Sequence, residues 1–398
     1  MANSITAFSP TYWSKMLGHK RYKKELFRAL ASFKEEKGLT NGRVVDRPYR
    51  SDIEDEQYTK GTALSAQDLT GTSDQLTINR QQGILIYVDN VDKIQNKYSA
   101  ANEWIAEARI RCSNTIDAYF LYEAFSAADT IDDGDVGGTA GNGITAIASN
   151  IDDIFAAINA KMDANNLPLE GRFLAMSPQF RKQLWKRIAS KASELGDKTG
   201  ETGNLGMYDG LSLYLTNNLT GSARWTPANN PSNLDTITVA GITFTFVTSI
   251  GSTAGNVLIA GTTALTITNL VGLINTPGTT DANGVAFTGS NLRKVQKWVG
   301  VDGTTYAEVR VRGGSFLAVS GSDSSDVWTA AQQLQNMLAG VKGQIDVVVQ
   351  SAPDVDMDKT TSAGKWGMNI LIMALFGIKT FNQGANEIFR VLVRSDAY

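Results

Sequence analysis

The chain has 398 residues, of which 42% are apolar and 19% charged, with a formal net charge of −3. Its 15 Phe, 12 Tyr and 7 Trp supply enough apolar surface for a large core and exclude bulk disorder. The single Cys112 and single His19 exclude a disulfide framework, a thiolate zinc site and a two-histidine metal site, and the weak net charge excludes a global basic field for nucleic acid.

The N-terminal segment, residues 1–42, is predicted to be a basic arm. Six Lys and Arg lie between residues 15 and 28, with Glu25 as the single acid. Apolar residues recur there at helical spacing, at Tyr22, Leu26, Leu30 and Phe33. An amphipathic helix that packs on its own domain and an arm that docks on a neighbouring subunit or a polyanion both fit this pattern.

Residues 43–96 are predicted to form a long β-hairpin. A dense set of charges of both signs opens it: Arg43, Asp46, Arg47, Arg50, Asp52, Glu54, Asp55 and Glu56. The second strand is predicted over LTINRQQGILIYVDNVD, which is rich in β-branched and aromatic residues. A long two-stranded excursion is only marginally stable alone, so we expect it to lie on another surface.

Residues 97–148 are predicted to hold one long helix over 100–127, whose apolar face includes Trp104 and Cys112. The Asp- and Gly-rich stretch 129–143 ends it. This stretch has the spacing of a calcium loop at Asp129 and Asp133, but Ile131 and Ala140 occupy positions that need ligands, so no calcium site is expected. Residues 149–221 alternate helix and strand, which is typical of an α/β layer.

Residues 222–330 are predicted to be an inserted β-rich domain. Between Trp225 and Ser290 there are fifteen Thr and two charged residues, and ITVAGITFTFV, NVLIAG and ALTIT are predicted as short strands. The chain then returns to mixed α/β structure over 331–398. We expect a helix at about Thr329 to Ala339, a strand over Ile345 to Gln350 and a closing strand at EIFRVLVRS.

No motif predicts an enzyme. The sequence has no GxGxxG, no phosphate-binding GxxxxGK[ST], no HExxH and no GxSxG, so we predict no catalytic, cofactor-binding or metal-binding residues and no cofactor. We see no secretion signal, and the longest apolar run, residues 370–378, is too short to span a membrane. A cytoplasmic location is the default expectation, with no membrane partner.

Four phrases, in order, resemble the major capsid proteins of tailed double-stranded DNA bacteriophages. The first is the family's run "LTI-(D/N)-x-Q … V-D-D-V-D-K-x-Q", with Asn90 in place of the commoner acid; it is matched by Leu76, Thr77, Ile78, Gln81, Val88, Asp89, Val91, Asp92, Lys93 and Gln95. The second, "VP-x-x-GR-x-x-x-x-SP", is matched by Leu167, Pro168, Gly171, Arg172, Ser177 and Pro178. LYLTNNL and ALFGIKTF fall where the family has comparable strands, whereas the segment 222–330 departs from the family.

The resemblance implies an α+β, Hong Kong 97-type capsid fold. Its parts would be an N-arm (1–42), an extended loop with a peripheral-domain strand (43–96), a spine helix in the peripheral domain (97–148), an axial and peripheral α/β region (149–221), the insertion (222–330), and an axial return with a closing peripheral strand (331–398). Such subunits form pentamers and hexamers that close into an icosahedral shell around double-stranded DNA. The implied partners are identical subunits, a portal and a scaffolding protein, and whether a decoration protein also binds is left open by the sequence. The implied location is the virion, after assembly in the host cytoplasm.

Within this family, two sets of charges are candidate contacts. Arg43, Arg47 and Arg50 are expected to meet Asp52, Glu54, Asp55 or Glu56 of an adjacent copy, and Lys60 lies in the same hairpin. No specific acceptor for a Lys60 cross-link is evident, so none is expected. The arm is expected to face inward through six cations: Lys15, Lys20, Arg21, Lys23, Lys24 and Arg28.

Two other functions remain open. One is an encapsulin-type compartment, built on the same fold around protein cargo. The other, from a different class, is a β-rich surface adhesin with 222–330 as its binding module.

Overall fold

The structure is a computed structural model of the whole chain. It describes residue 23 and the ranges 25–35, 42–50, 53–95, 100–190, 206–314, 317–322, 326–358, 366–381 and 384–395.

One half of the molecule is organised around a long helix, α3 (Ala100–Tyr122), which the sequence predicts. A short 3-10 turn, Glu123–Ser126, follows it. Its buried residues recur every three or four positions: Ile105, Ala108, Cys112, Ile116 and Phe120. Trp104, predicted on this face, is instead 45% exposed. Cys112 is a buried free thiol, in keeping with a packing role.

A three-stranded antiparallel sheet packs against α3. Its strands are β3 (Arg80–Asp89), β18 (Gly367–Thr380) and β17 (Ile345–Asp358), with β18 in the middle. Ile84 faces Ile372 across the strands and Ile86 faces Ile370, and these four side chains join the main hydrophobic core. The most apolar stretch of the sequence is therefore the central strand of this sheet.

The predicted hairpin is present but shorter than expected. Its strands are β1 (Val44–Arg50) and β2 (Gly71–Thr77), which pair antiparallel. The prediction of one strand through residues 76–92 is wrong. Strand β2 ends at Thr77, and the separate strand β3 then pairs with β18 instead of β1. The short helix α2 (Asn90–Gln95) follows β3. Leu76 and Ile78 are both buried in a small separate cluster, which turns the chain at this point.

The other half is built on a central sheet of ten described strands. Their order is β12-β13-β8-β16-β5-β7-β6, with β15 beside β8, β19 beside β16 and β4 beside β19. The strands are β4 (Asp129–Ile131), β5 (Arg172–Met176), β6 (Met207–Tyr208), β7 (Leu211–Leu215), β8 (Thr220–Pro227), β12 (Trp298–Asp302), β13 (Ala307–Val311), β15 (Asp326–Trp328), β16 (Leu334–Val341) and β19 (Ile388–Arg394).

Helices α4 (Ile151–Ala164) and α5 (Pro178–Ala189) pack against this sheet, within the segment 149–221 predicted to alternate helix and strand. Ser177 caps α5, its hydroxyl oxygen accepting from the Phe180 N–H at 3.2 Å. The helix predicted at Thr329 to Ala339 is wrong. Those residues form a 3-10 turn and then β16, because all eight β16 residues are buried between neighbouring strands.

Residues 223–317 enclose a second hydrophobic core of their own. A four-stranded sheet of order β11-β10-β9-β14 belongs to it, made of β9 (Thr236–Val239), β10 (Ile242–Val247), β11 (Asn256–Leu258) and β14 (Val319–Gly321). The strand predicted at ALTIT is wrong, because it lies in helix α6 (Thr263–Asn275), which Thr262 caps and whose Ile267, Leu270 and Ile274 face the core. A short helix, α7 (Gly289–Val295), follows.

This region is joined to the central sheet through β8, β13 and β12. The boundaries 222 and 330, like the other domain boundaries, stay predictions.

The helix predicted in the N-terminal arm is reduced, in its described part, to one turn, α1 (Phe27–Leu30). Leu26, Phe27 and Leu30 are buried in the main core, and Ser32 then forms a β-bridge with Asp346. Residues 25–33 of the arm therefore pack on the chain's own domain, which was the first of the two alternatives predicted for this segment.

Candidate interaction surface

The base of the hairpin, which consists of strands β1 and β2, packs firmly on its own subunit. Leu76 and Ile78 pack with Val348 and Phe381. The Arg47 guanidinium lies 3.9 Å from the centre of the Phe381 ring. Because an aromatic face attracts a cation, this stacking fixes β1 on the sheet beneath it.

Arg47 also links the base to two carboxylates. It lies 2.6 Å from Glu35 and 3.1 Å from Asp346, whose side chain is only 4% exposed. Partial burial lowers the pKa of Arg47, but the hydrogen bond to Glu35 and the charge of Asp346 outweigh it, so the pKa is raised overall. On the second strand, the Lys379 ammonium donates to the Asp74 carboxylate and, at 2.9 Å, to the Gln75 carbonyl.

Beyond this base, the connection between the strands is open to solvent. Every residue of 53–70, here called the hairpin loop, is exposed. Its two sides are nevertheless bonded to each other: Gln67 accepts from the Glu54 N–H at 3.1 Å, and Glu56 accepts from the Ser65 N–H at 2.8 Å. The loop therefore has a defined shape without a surface of its own chain to cover it.

Large apolar side chains are the main feature of the hairpin loop. Ile53 is 68% exposed, Tyr58 62%, Leu64 56% and Leu69 75%. At the root of the loop, an open groove of about 620 Å³ is lined by Tyr49, Arg50 and Leu69 among others. Clustered exposed apolar groups beside a groove are typical of a surface that another molecule covers.

The charges predicted to contact an adjacent copy divide into two groups. Arg43, Arg50, Glu54, Asp55, Glu56 and Lys60 are all exposed, and within the described ranges they form no ion pair. Arg47 is reassigned, because its partners Glu35 and Asp346 belong to its own chain. Asp52 lies outside the described residues.

The arm cations give a different picture from the expected free basic face. The Lys23 ammonium donates to the carbonyls of Asn217, at 3.0 Å, and Gly313, at 2.6 Å. Arg28 lies 3.5 Å from Glu25 and stacks 5.2 Å from the centre of the Phe27 ring. Lys15, Lys20, Arg21 and Lys24 lie outside the described residues, so an inward role for the arm stays a prediction.

A buried carboxylate that sequence reasoning missed holds the arm where it joins the core. Asp117, on α3, is fully buried and accepts the N–H groups of Leu26, at 2.7 Å, and Phe27, at 2.9 Å. The Asn218 amide donates to its other oxygen at 2.8 Å. Burial raises the pKa of the Asp117 carboxyl, although these hydrogen bonds oppose the shift.

The stretch once compared with a calcium loop is occupied by a side chain. The Lys161 ammonium lies 3.3 Å from Asp129 and 2.9 Å from Asp135, where a cation would lie. In the part of the chain that the structure describes, no three His, Cys, Asp or Glu side chains cluster as metal ligands would. Nor does any helix among those residues have the length and apolar character needed to cross a membrane.

The chain is similar to proteins of phage capsids, both in sequence and in fold. The model of a family described as "Phage capsid protein" matches residues 75–257. Among solved structures, one from Mycobacterium phage Che8 has a TM-score of 0.58 at 14% identity, covering 97% of this chain and 98% of that chain. The capsid structure of Cyanophage P-SCSP1u has a TM-score of 0.53 at 12% identity, covering 100% and 96%.

A third solved structure, the asymmetric unit of the bacteriophage PhiM1 mature capsid, has a TM-score of 0.52 at 11% identity, covering 97% of this chain and 92% of that chain. No curated protein matches the chain. The shared fold extends over nearly the full length of both partners in each pair, which confirms the predicted Hong Kong 97-type fold class.

Proposed function

We propose that this chain is a phage capsid protein that closes as pentamers and hexamers into the icosahedral head shell around the double-stranded DNA of a tailed bacteriophage. It is a structural protein of the virion, assembled from identical subunits, and not an enzyme. Assembly in the host cytoplasm, contact with a portal, a scaffolding protein and a decoration protein, and DNA on the inner face belong to the same proposal. The family match favours this function over an encapsulin-type compartment and over an adhesin.

The observation that carries the proposal is a firmly held hairpin with an uncovered apolar loop. Ile53, Tyr58, Leu64 and Leu69 are each more than half exposed, while the base below them is packed and ion-paired. Fully burying one such side chain stabilises an interface by about 1.5–3 kcal/mol. Since every identical subunit carries the same loop, a closed shell repeats this contact at every subunit boundary.

The exposed charges of the hairpin would set the register of that contact. Arg50 is the last residue of β1 and Arg43 directly precedes that strand. Glu54, Asp55 and Glu56 lie on the hairpin loop. An exposed ion pair contributes only about 0–1 kcal/mol. Weak charge pairs beside an apolar anchor favour the correct neighbour while allowing misplaced subunits to dissociate.

The test compares two leucines of equal exposure. Leu69 on the hairpin loop and Leu169 in the turn before β5 are each 75% exposed. We expect Leu69→Ser to leave a folded subunit that forms few closed shells, and Leu169→Ser to assemble like the wild type, as seen by electron microscopy and sedimentation. Normal shells from Leu69→Ser, or equal loss in both variants, would contradict the proposal.

A further inference from the structure

A polar cavity of about 170 Å³ lies against the central sheet, and none of its lining residues belongs to the hairpin. The strands β8, β13, β16 and β19 and the loop 129–143 surround it. Its polar lining includes Asp132, Ser222, Arg224, Glu308, Gln332 and Arg390. The cavity has no part in the function proposed above.

The strand register concentrates arginines on this face. Arg224 on β8 is paired directly with Glu308 on β13, and Arg310 is two residues further along β13, so the three side chains share one side of the sheet. Arg390 approaches from β19. The cavity is lined by two of these guanidinium groups, Arg224 and Arg390, and by two carboxylates, Asp132 and Glu308. Arg310, which pairs with Glu308 beside the cavity, brings the five groups to one net positive charge.

The two carboxylates are already engaged. Glu308 accepts from Arg310 Nε at 2.7 Å, whereas its nearest approach to Arg224 is 3.8 Å. Asp132 accepts the backbone N–H groups of Gly134, at 2.9 Å, and Gly141, at 2.6 Å. Neither acid therefore satisfies Arg224 or Arg390 fully.

Stacking holds the side chains of Arg224 and Arg390, and each has one buried nitrogen without an acceptor among the described residues. The Nε atom of each is buried with no partner among the described residues, and in that part of the chain Arg390 forms no ion pair. Arg224 stacks 3.9 Å from the centre of the Tyr306 ring, and Arg390 4.7 Å from that of Phe125. Burial lowers the pKa of Arg390, and although Glu308 opposes the shift, Arg310 and Arg224 add to it.

Guanidinium groups with a buried N–H that lacks an acceptor are uncommon, because each unmade hydrogen bond costs free energy. We propose that this cavity binds one small oxyanion of the phosphate class, held by Arg224 and Arg390. The Ser222 hydroxyl accepts from the Asn336 amide at 3.1 Å and keeps its own proton to donate to the anion. The bound anion would link β8, the first strand of the second core, to β19 of the main core.

The test is a titration of the full-length chain with inorganic phosphate at constant ionic strength, followed by calorimetry. We expect one site per chain and a loss of at least about tenfold in affinity in Arg390→Gln, since charge-assisted hydrogen bonds are lost. Arg293→Gln is the control, because Arg293 is exposed on α7 and bonds a carbonyl of its own helix. Absence of binding by the wild type, or equal affinity in all three chains, would overturn the proposal.

Two further arms complete the test. Arg224→Gln repeats the measurement, with circular dichroism as the check of folding, in case Arg390→Gln does not fold. Short double-stranded DNA distinguishes the sources of phosphate: we expect it not to displace inorganic phosphate from a cavity of this size. A site filled by DNA but not by free phosphate would contradict the assignment, and neither outcome depends on whether shells form.

Discussion

Strand β16 and the hairpin loop show how one chain carries two opposite kinds of surface. All eight residues of β16 are buried between neighbouring strands, whereas every residue of the hairpin loop is exposed. Leu338 on β16 is fully buried, and Leu69 on the loop is 75% exposed. The central sheet thus stabilises the single subunit, and the loop places its apolar groups where only another molecule can cover them.

This contrast separates folding from assembly. A substitution in the central sheet should lower the free energy of unfolding of the isolated chain. A substitution in the hairpin loop should leave that quantity unchanged and alter shell formation.

The largest effect is expected from a matched pair of aromatic residues. Phe173 is buried on β5, and Tyr58 is 62% exposed on the hairpin loop. Phe173→Ala should lower the free energy of unfolding by about 3–5 kcal/mol, because it leaves a cavity in the core. Tyr58→Ala should change it by less than about 0.5 kcal/mol but reduce shell yield. Denaturant titration of the unassembled chains and particle counts give both quantities, and similar unfolding curves would break the comparison.

A smaller effect is expected at the boundary between the two regions. Arg47→Gln removes the partner of the buried Asp346 and should destabilise the isolated chain by about 1–3 kcal/mol. Arg50→Gln, three residues along the same strand, should leave that stability unchanged, since Arg50 is exposed. Equal destabilisation by both substitutions, again from denaturant titration, would mean that the base of the hairpin is not held as described.

The third prediction concerns pH and the buried Asp117. Its pKa lies above the ordinary value of 3.8 in the folded chain, so between these two values the folded state binds more protons than the unfolded state. The free energy of unfolding of the wild type, relative to Asp117→Asn, should therefore fall as the pH rises from 3.8 through the raised pKa, by at most about 1.4 kcal/mol per pH unit. A difference between the two chains that is flat or rises with pH would contradict this sign.

The smallest effect is expected from the loop charges. Glu54→Gln together with Asp55→Asn should change the free energy of each subunit contact by about 0–1 kcal/mol. Shell assembly followed by light scattering should slow at low salt, and the difference from the wild type should vanish at high salt because exposed charges are screened. A defect that persists at high salt would show that these residues do more than select the neighbour.

Local sequence signals predicted many elements of both regions. The apolar spacing from Trp104 to Phe120 predicts α3, and Ser177 with Pro178 predicts the start of α5. The resemblance to phage capsid proteins predicted the fold class, which no single motif could do. In the hairpin, two strands around a polar stretch were also predictable.

Tertiary contacts decided the elements that the sequence predicted wrongly. Leu334–Val341 is a strand because it pairs along both edges with other strands and is buried throughout, which local spacing cannot reveal. The hydrogen bond from the Leu26 N–H to Asp117 joins residues 91 positions apart in the chain, so no spacing pattern could predict it. In the hairpin loop, the sequence analysis predicted contacts only for the charged residues. Four apolar residues could have been found as large side chains in an otherwise polar stretch: Ile53, Tyr58, Leu64 and Leu69.

We infer that the apolar side chains of the hairpin loop become buried only against a second copy of the chain. Electron cryomicroscopy of particles assembled from the purified full-length chain tests it most directly. We expect closed shells in which four side chains of one subunit are buried against its neighbour: Ile53, Tyr58, Leu64 and Leu69. Shells in which these four side chains remain exposed to solvent, or a chain that stays a monomer under all conditions, would contradict it.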